Sequence, residues 1–196
     1  LHERIFIQDD LELYRLNLNE AKKNSSVKEK RFIQRKMLKN LVYRVFGTHT
    51  EVTHNQYGKP LLVGHQGNIS VSHNKEWIIM LYSPARNVGV DIESVQERIL
   101  RIQDRFLQPD EMKEFRENPF WLTLAWCAKE SVLKCIGFKK ISFRRDLRIL
   151  SIDKNKLQMV VKSTWAEKPG VFRVQWMVSD QNIIALAYEM EETGLG

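Results

Sequence analysis

The chain has 196 residues, 43% of them hydrophobic and 10% aromatic, enough to build one core or two small adjoining ones. Charged residues make up 28% with both signs intermixed, which excludes a disordered chain. The formal net charge of +7 attracts phosphates, nucleic acid, anionic membranes or acidic proteins without choosing among them.

No apolar run is long enough to cross a bilayer, since Phe120–Ala128 covers only half a span, and no membrane role is expected. The opening Leu1-His2-Glu3-Arg4 shows no apolar signal segment, so the expected compartment is the cytoplasm. In chain order, the polar stretch 20–30 leads into Ile33, Met37, Leu38, Leu41 and Val45 at helical spacing. That spacing predicts a helix over Val27–Phe46, stopped by Gly47. Tyr57-Gly58-Lys59-Pro60 reads as a turn. Ile69–His73, Trp77–Tyr82 and Val88–Glu93 read as strands, separated by turns at 74–76 and 84–87. Helices are expected over Val95–Phe106 and Pro109–Phe115, then a long apolar helix over Phe120–Ile136 closed by Gly137. Strands return at Leu147–Ile152, Leu157–Lys162, Val171–Val178 and Ile183–Glu189. This order is that of an α+β protein in which each half combines helix with antiparallel strands. The break is expected soon after Glu93, giving 1–95 and 96–196 without a flexible linker between them.

Cys127 and Cys135 fall eight residues apart on the long helix. That is roughly 12 Å along its axis, too far to bridge, and they read as buried thiols. The five histidines (His2, His49, His54, His65, His73) lack the tight spacing of a zinc site.

Three stretches carry chemistry. In Val88-Gly89-Val90-Asp91-Ile92-Glu93, alternation sends the aliphatic residues to the core and places Asp91 and Glu93 together on the other face. Two carboxylates so close repel unless a proton or cation lies between them, although a solvated strand face shows the same pattern. In Trp126–Lys134, residues Trp126, Glu130 and Lys134 follow at intervals of four on an otherwise apolar helix. Charges there are costly unless paired or coordinated; an exposed Glu–Lys pair is the plain alternative. In Asn68–Asn74, a strand ends in Ser72-His73 at a turn, offering a hydroxyl, an imidazole and backbone N–H groups to a phosphate. Adjacent strand residues point to opposite faces, so Ser72 and His73 form no nucleophilic pair. Asp91, Glu93 and Glu130 together describe an oxygen-only site suited to magnesium. Lys59, His73, Lys134 and Arg31 or Arg35 around it suit a substrate with several phosphates, hence metal-assisted phosphoryl chemistry.

Gly58-Lys59-Pro60, Ser70-Val71-Ser72-His73, Gly89-Val90-Asp91-Ile92-Glu93 and Trp126–Lys134, in that order, resemble the signature of 4′-phosphopantetheinyl transferases. The type resembled is the longer, surfactin-synthetase-activating one. The resemblance implies two similar α+β halves forming a pseudo-dimer, each an antiparallel sheet with helices, with the active site in the cleft between them. It implies that Asp91, Glu93 and Glu130 hold Mg2+ against the pyrophosphate of coenzyme A. Glu130, or a water it orients, takes the proton from a serine of an apo acyl or peptidyl carrier protein. Lys134 contacts the pyrophosphate, Ser72 and His73 the 3′-phosphate, and Lys59 with Pro60 the adenine. Arg31, Arg35 and Lys36 are unranked further contacts for the 3′-phosphate. Arg105-Phe106 followed by Glu111 resembles a segment where the family has another functional acid. A monomer is implied. Cys127 stands where Ser or Thr is common in the family, and Asn74 where Ser is frequent.

Two rivals remain on sequence grounds. Clustered carboxylates with a lysine also describe a metal-dependent nuclease, although Glu93 lacks the Glu-x-Lys spacing of many nucleases. Lys139, Lys140, Arg144, Arg145 and Arg148 could serve a non-catalytic nucleic-acid binder, but the only aromatics among them are Phe138 and Phe143.

Overall fold

The computed structural model describes residues 2–8, 10–18, 26–137 and 140–190. Strands β1 (His2–Gln8), β2 (Leu11–Asn17), β5 (Asn68–His73) and β6 (Trp77–Ser83) form an antiparallel sheet in the order β1-β2-β6-β5. Helix α1 (Val27–Phe46) begins at a Ser26–Glu29 capping box and ends at Gly47, whose φ of 95° suits glycine alone. The hairpin β3 (Glu51–His54) and β4 (Pro60–Val63) stands apart as a two-stranded ribbon.

The second sheet joins β7 (Val88–Ser94), β8 (Leu147–Asp153), β9 (Gln158–Ser163), β10 (Gly170–Ser179) and β11 (Asn182–Glu189) in the antiparallel order β7-β11-β10-β9-β8. Between β7 and β8 run a 3₁₀ helix (Glu97–Ile102), α2 (Gln103–Phe106), α3 (Met112–Phe115), α4 (Pro119–Ile136) and α5 (Phe143–Asp146).

Strand alternation stacks these elements in four layers. Leu11, Leu13, Ile79 and Leu81 of the first sheet face Val88, Val90, Ile92, Ile184 and Leu186 of the second. Their alternates Tyr14, Met80 and Tyr82 turn the other way onto Leu41, Val42 and Phe46 of α1. Ile183, Ala185 and Ala187 likewise turn onto α4. Both faces of the inner strands are buried, which is why 77–82 and 183–188 read as unbroken apolar runs.

The α+β class and antiparallel sheets agree with expectation, and α1 and α4 lie where the periodicity places them. Val95–Phe106 differs: Ile99 and Ile102, three apart, both turn inward, a spacing that 3₁₀ geometry satisfies, and a single α-turn follows. Only 112–115 of the expected helix at Pro109–Phe115 is helical; 109–111 form a turn in which the Glu111 carboxylate accepts the Gln108 N–H. Leu157 lies in a turn with φ of 52°, so β9 starts one residue later. Strands β1 to β4 were not anticipated. The boundary expected at residue 95 falls just behind β7, which pairs with β11 of the second sheet. No described helix is long and apolar enough to cross a membrane.

Candidate active site

Strand β7 turns one face toward the first sheet and the other against α4. Gly89 permits this, since a Cβ there would come within 1.8 Å of the Ser131 carbonyl oxygen and 2.5 Å of the Cys135 nitrogen. Strand and helix therefore touch backbone to backbone, and the face carrying Asp91 is not solvated: Asp91 is only 4% exposed. On α4, capped by Asn118 with Pro119 in its first turn, Glu130 and Lys134 turn toward β7.

Lys134 Nζ donates to Asp91 Oδ1 at 2.7 Å and to Ser72 Oγ at 2.8 Å, while Ser72 Oγ donates to the same Asp91 oxygen at 2.8 Å. Two residues earlier on β5, Ser70 Oγ accepts the Val90 N–H at 2.9 Å. The two sheets thus meet along β5 and β7 through serine hydroxyls rather than ladder bonds. Beyond Ser72, Asn74 Nδ2 and Ser94 Oγ both donate to Asn182 Oδ1 at 2.8 Å, tying the β5–β6 turn to the far end of the second sheet. His73 points outward, with Nδ1 3.4 Å from Gln34 Nε2 of α1. The Ser72-His73 pair therefore divides: the serine joins the acids, and the imidazole faces the first helix.

Asp91, Glu93 and Glu130 act on one another electrostatically. Burial first, then the Asp91 charge, pushes the Glu130 carboxyl up to about 7, with Lys134 opposing and Glu93 adding. Burial and Asp91 also raise Glu93, opposed by the Arg98 and Lys134 charges and, least, by Trp126. The Cys127 thiol beside them is pushed up by burial and by the same acids, so it stays protonated. Asp91 Oδ2 is buried without a hydrogen-bond partner among the described residues. An orphaned buried carboxylate oxygen facing two further acids is a hard-oxygen donor set, which fits a divalent cation such as magnesium. The described side chains are not drawn together into a finished cage of three or more acid, histidine or cysteine ligands.

Residues 87–183 match the model of the 4′-phosphopantetheinyl transferase superfamily, a span containing Asp91, Glu93, Glu130 and Lys134. Over this segment the chain is similar to members of that superfamily. It is also 30% identical over 128 residues to the 4′-phosphopantetheinyl transferase gsp of Aneurinibacillus migulanus, covering 59% of this chain and 48% of that protein. The chain spans about half the length of the curated relative it matches.

Around this site, the remaining candidates take varied positions. Lys59 Nζ donates to the Cys135 carbonyl at 2.9 Å, near the C-terminal end of α4, and its stem lies against Gly137. Burial lowers its pKa. Pro60 opens β4. Arg31, Arg35 and Lys36 are exposed on α1. Arg35 borders a groove of about 630 Å³ shared with Leu38, Lys39, Glu51, Val52 and His54.

Glu111, in the segment that resembles one bearing a further functional acid, is buried and paired with Lys129 Nζ at 2.7 Å. Of the basic cluster read as a nucleic-acid surface, Arg145 pairs with Asp146, Arg148 with Asp110, and Arg144 donates to the Asp104 carbonyl. Phe138 and Lys139 lie outside the described residues. Sequence reading missed Arg98 and Gln34, which act through placement across the fold, and named Ser70 only within its motif, without a role.

Proposed function

We propose that the protein transfers the 4′-phosphopantetheine group of coenzyme A to a serine hydroxyl of an apo acyl or peptidyl carrier protein, releasing 3′,5′-ADP. The observation that carries this reading is the orphaned buried carboxylate oxygen of Asp91, whose charge acts on Glu93 and Glu130, with Lys134 bonded to its other oxygen. Asp91, Glu93 and Glu130 would hold Mg2+, which supplies charge neutralisation for the pyrophosphate when bound.

This chain's residues account for the remaining steps. The carrier serine oxygen attacks the β-phosphorus, and the bond to the 3′,5′-ADP oxygen breaks. Glu130, with its carboxyl at about 7, is poised to accept the serine proton directly or through a water. Lys134 neutralises charge growing on the pyrophosphate, being half-buried and oriented by Ser72 and Asp91 before substrate arrives. His73, facing α1 near Arg31 and Arg35, provides a basic place for the 3′-phosphate. The turn of Lys59 and Pro60 borders the adenine through its backbone, the Lys59 ammonium being occupied on α4.

The cleft of the reaction is the seam where β5 meets β7, and the sheets on either side are read as the two halves of a pseudo-dimer working as a monomer. Arg98, Arg101 and Arg105 lie exposed along the 3₁₀ helix and α2, with Arg98 beside Glu93. This exposed basic run, with Arg98 beside Glu93, suits an acidic carrier surface. The deciding experiment incubates the protein with coenzyme A, Mg2+ and a panel of apo carrier proteins, followed by intact-mass measurement. A carrier mass increased by one phosphopantetheine supports the reading; no addition to any carrier, with coenzyme A intact, overturns it.

A further inference from the structure

Lys59 sits in the turn of the β3–β4 ribbon, yet its ammonium ends on the helix that carries Glu130 and Lys134. One side chain builds that turn. Asn55 Oδ1 accepts the Tyr57 and Lys59 N–H groups, both at 2.9 Å, and the Asn55 N–H donates to the Lys59 carbonyl at 3.0 Å. From there the Lys59 stem crosses the end of α4 so closely that a Cβ on Gly137 would come within 2.8 Å of its Cδ. Nζ then donates to the Cys135 carbonyl at 2.9 Å and to Asn87 Oδ1 at 3.5 Å. Cys135 is held a second time, its Sγ donating to the Asn87 carbonyl at 3.2 Å.

The last four carbonyls of an α-helix have no N–H partner within it. At the end of α4 the Gly137 N–H, in left-handed backbone with φ of 81°, donates to the Leu133 carbonyl at 2.9 Å, and Lys59 covers that of Cys135. A cation in this place also opposes the negative end of the helix dipole. Lys134 lies between those two carbonyls, and its ammonium reaches Asp91 at 2.7 Å and Ser72 at 2.8 Å. The closing turn of α4 is therefore stitched to its neighbours twice, by Lys59 arriving from the ribbon and by Lys134 reaching out to β5 and β7. Helix ends fray, so a lysine in the last turn stays aimed only while that turn is closed.

We propose that Lys59 is a positioning residue for Lys134: by capping the Cys135 carbonyl it keeps the last turn of α4 closed, and the Lys134 ammonium then stands on Asp91 and Ser72 before a substrate arrives. The inference rests on the reading of Lys134, given above, as the group that neutralises charge on the pyrophosphate. It makes the Lys59 side chain a part of the helix that does the chemistry, acting through Lys134 rather than on the nucleotide.

The test is Lys59→Met, which keeps an unbranched stem against Gly137 and removes the ammonium. Two measurements on metal-free protein need no activity: amide hydrogen exchange at Lys134, Cys135, Ile136 and Gly137, and the 15N ammonium resonance of Lys134, assigned by its loss in Lys134→Arg. Exchange should quicken about 10-fold, as expected for a lost hydrogen bond to a charged group. The Lys134 resonance should move toward that of a solvated lysine. With coenzyme A, Mg2+ and a carrier protein, kcat should fall about 10- to 100-fold. The KM for coenzyme A should stay within about twofold, the split expected of a group felt only in the transition state. An unmoved Lys134 resonance overturns the proposal; with faster exchange it leaves Lys59 a helix cap and nothing more. A KM for coenzyme A raised about 10-fold at unchanged kcat also overturns it, since that marks direct contact with substrate.

If Lys59→Met does not fold, Asn55→Ala decides, because it keeps the ammonium and loosens the turn that aims it. A smaller shift of the Lys134 resonance in the same direction supports the proposal, and an unmoved resonance refutes it. These readouts also separate the inference from the reaction. A wild-type protein that modifies no carrier defeats the proposed transfer, while the Lys134 resonance still decides what Lys59 holds in place.

Discussion

Substituting Gly89 by alanine tests whether the site depends on the close approach of β7 to α4. The added methyl would lie 1.8 Å from the Ser131 oxygen, 2.5 Å from the Cys135 nitrogen and 2.9 Å from the Ser131 carbonyl carbon. All three are backbone atoms of a helix, so no side-chain rotation relieves the clash. Restoring an ordinary contact of about 3.5 Å requires strand and helix to part by more than about 1 Å. Overpacking of this kind costs about 1–3 kcal/mol, which for a chain of this size lowers Tm by roughly 2–12 °C. The displacement falls two residues from Asp91 and on the helix that carries Glu130 and Lys134. A misplacement of about 1 Å in a catalytic constellation costs roughly 10²-fold in rate. Differential scanning calorimetry and Mg2+-dependent carrier modification, measured on the same preparation, give the two readings. A Gly89→Ala protein that melts within about 1 °C of wild type and keeps most of its activity would refute the backbone-contact argument.

Glu130→Gln is expected to fold and to lose about 10²- to 10⁴-fold in transfer, as loss of a general base does; retention of most activity would remove Glu130 from that role. Because its folded pKa is raised from 4.5 to about 7, Glu130 binds its proton more tightly in the folded state. Its favourable contribution is full below pH 4.5 and is lost as pH rises through 7, up to about 3 kcal/mol in all. Melting of metal-free wild type should therefore fall relative to Glu130→Gln between pH 5 and 8, and saturating Mg2+ should shrink the difference; a gap that closes with rising pH contradicts the sign. Coenzyme A should raise Tm more than 3′-dephospho-coenzyme A, and His73→Ala should abolish the difference; equal shifts in wild type would leave His73 without its phosphate. The carrier KM should climb with salt more steeply than the coenzyme A KM, since exposed charges such as Arg98, Arg101 and Arg105 are screened over a Debye length of about 8 Å at physiological ionic strength.

Local patterns made some of this structure legible and left the rest hidden. The 3.6-residue spacing of Ile33, Met37, Leu38 and Leu41 located α1, and apolar density with Gly137 located α4. The alternation at 88–93 assigned Val88, Val90 and Ile92 to the core and Asp91 to the opposite face. Alternation alone did not reveal that the opposite face is also buried, because that depends on Gly89 admitting a helix backbone. Lys129 and Glu111 show the same limit. Each is an ordinary helix-surface residue by type, and only the fold brings α3, α5 and β8 around one ammonium. Strand β2 carries an alternating Leu11-x-Leu13 signal that is short and partly charged. Its meaning comes from pairing with β6, a long-range contact.

The serine joint between β5 and β7 has a consequence for how the protein can be handled. Each of these strands is the last of its sheet, and an uncovered sheet edge is a template for pairing with other chains. Here the two edges conceal one another through Ser70 and Ser72, together with the apolar residues between the sheets. Cutting the chain at 84–87, between β6 and β7, would release two sticky margins at once, so fragments expressed separately should aggregate. Co-expressed fragments, by contrast, have each other's edge as the best available cover, and the regained solubility of the pair would report the quality of that joint.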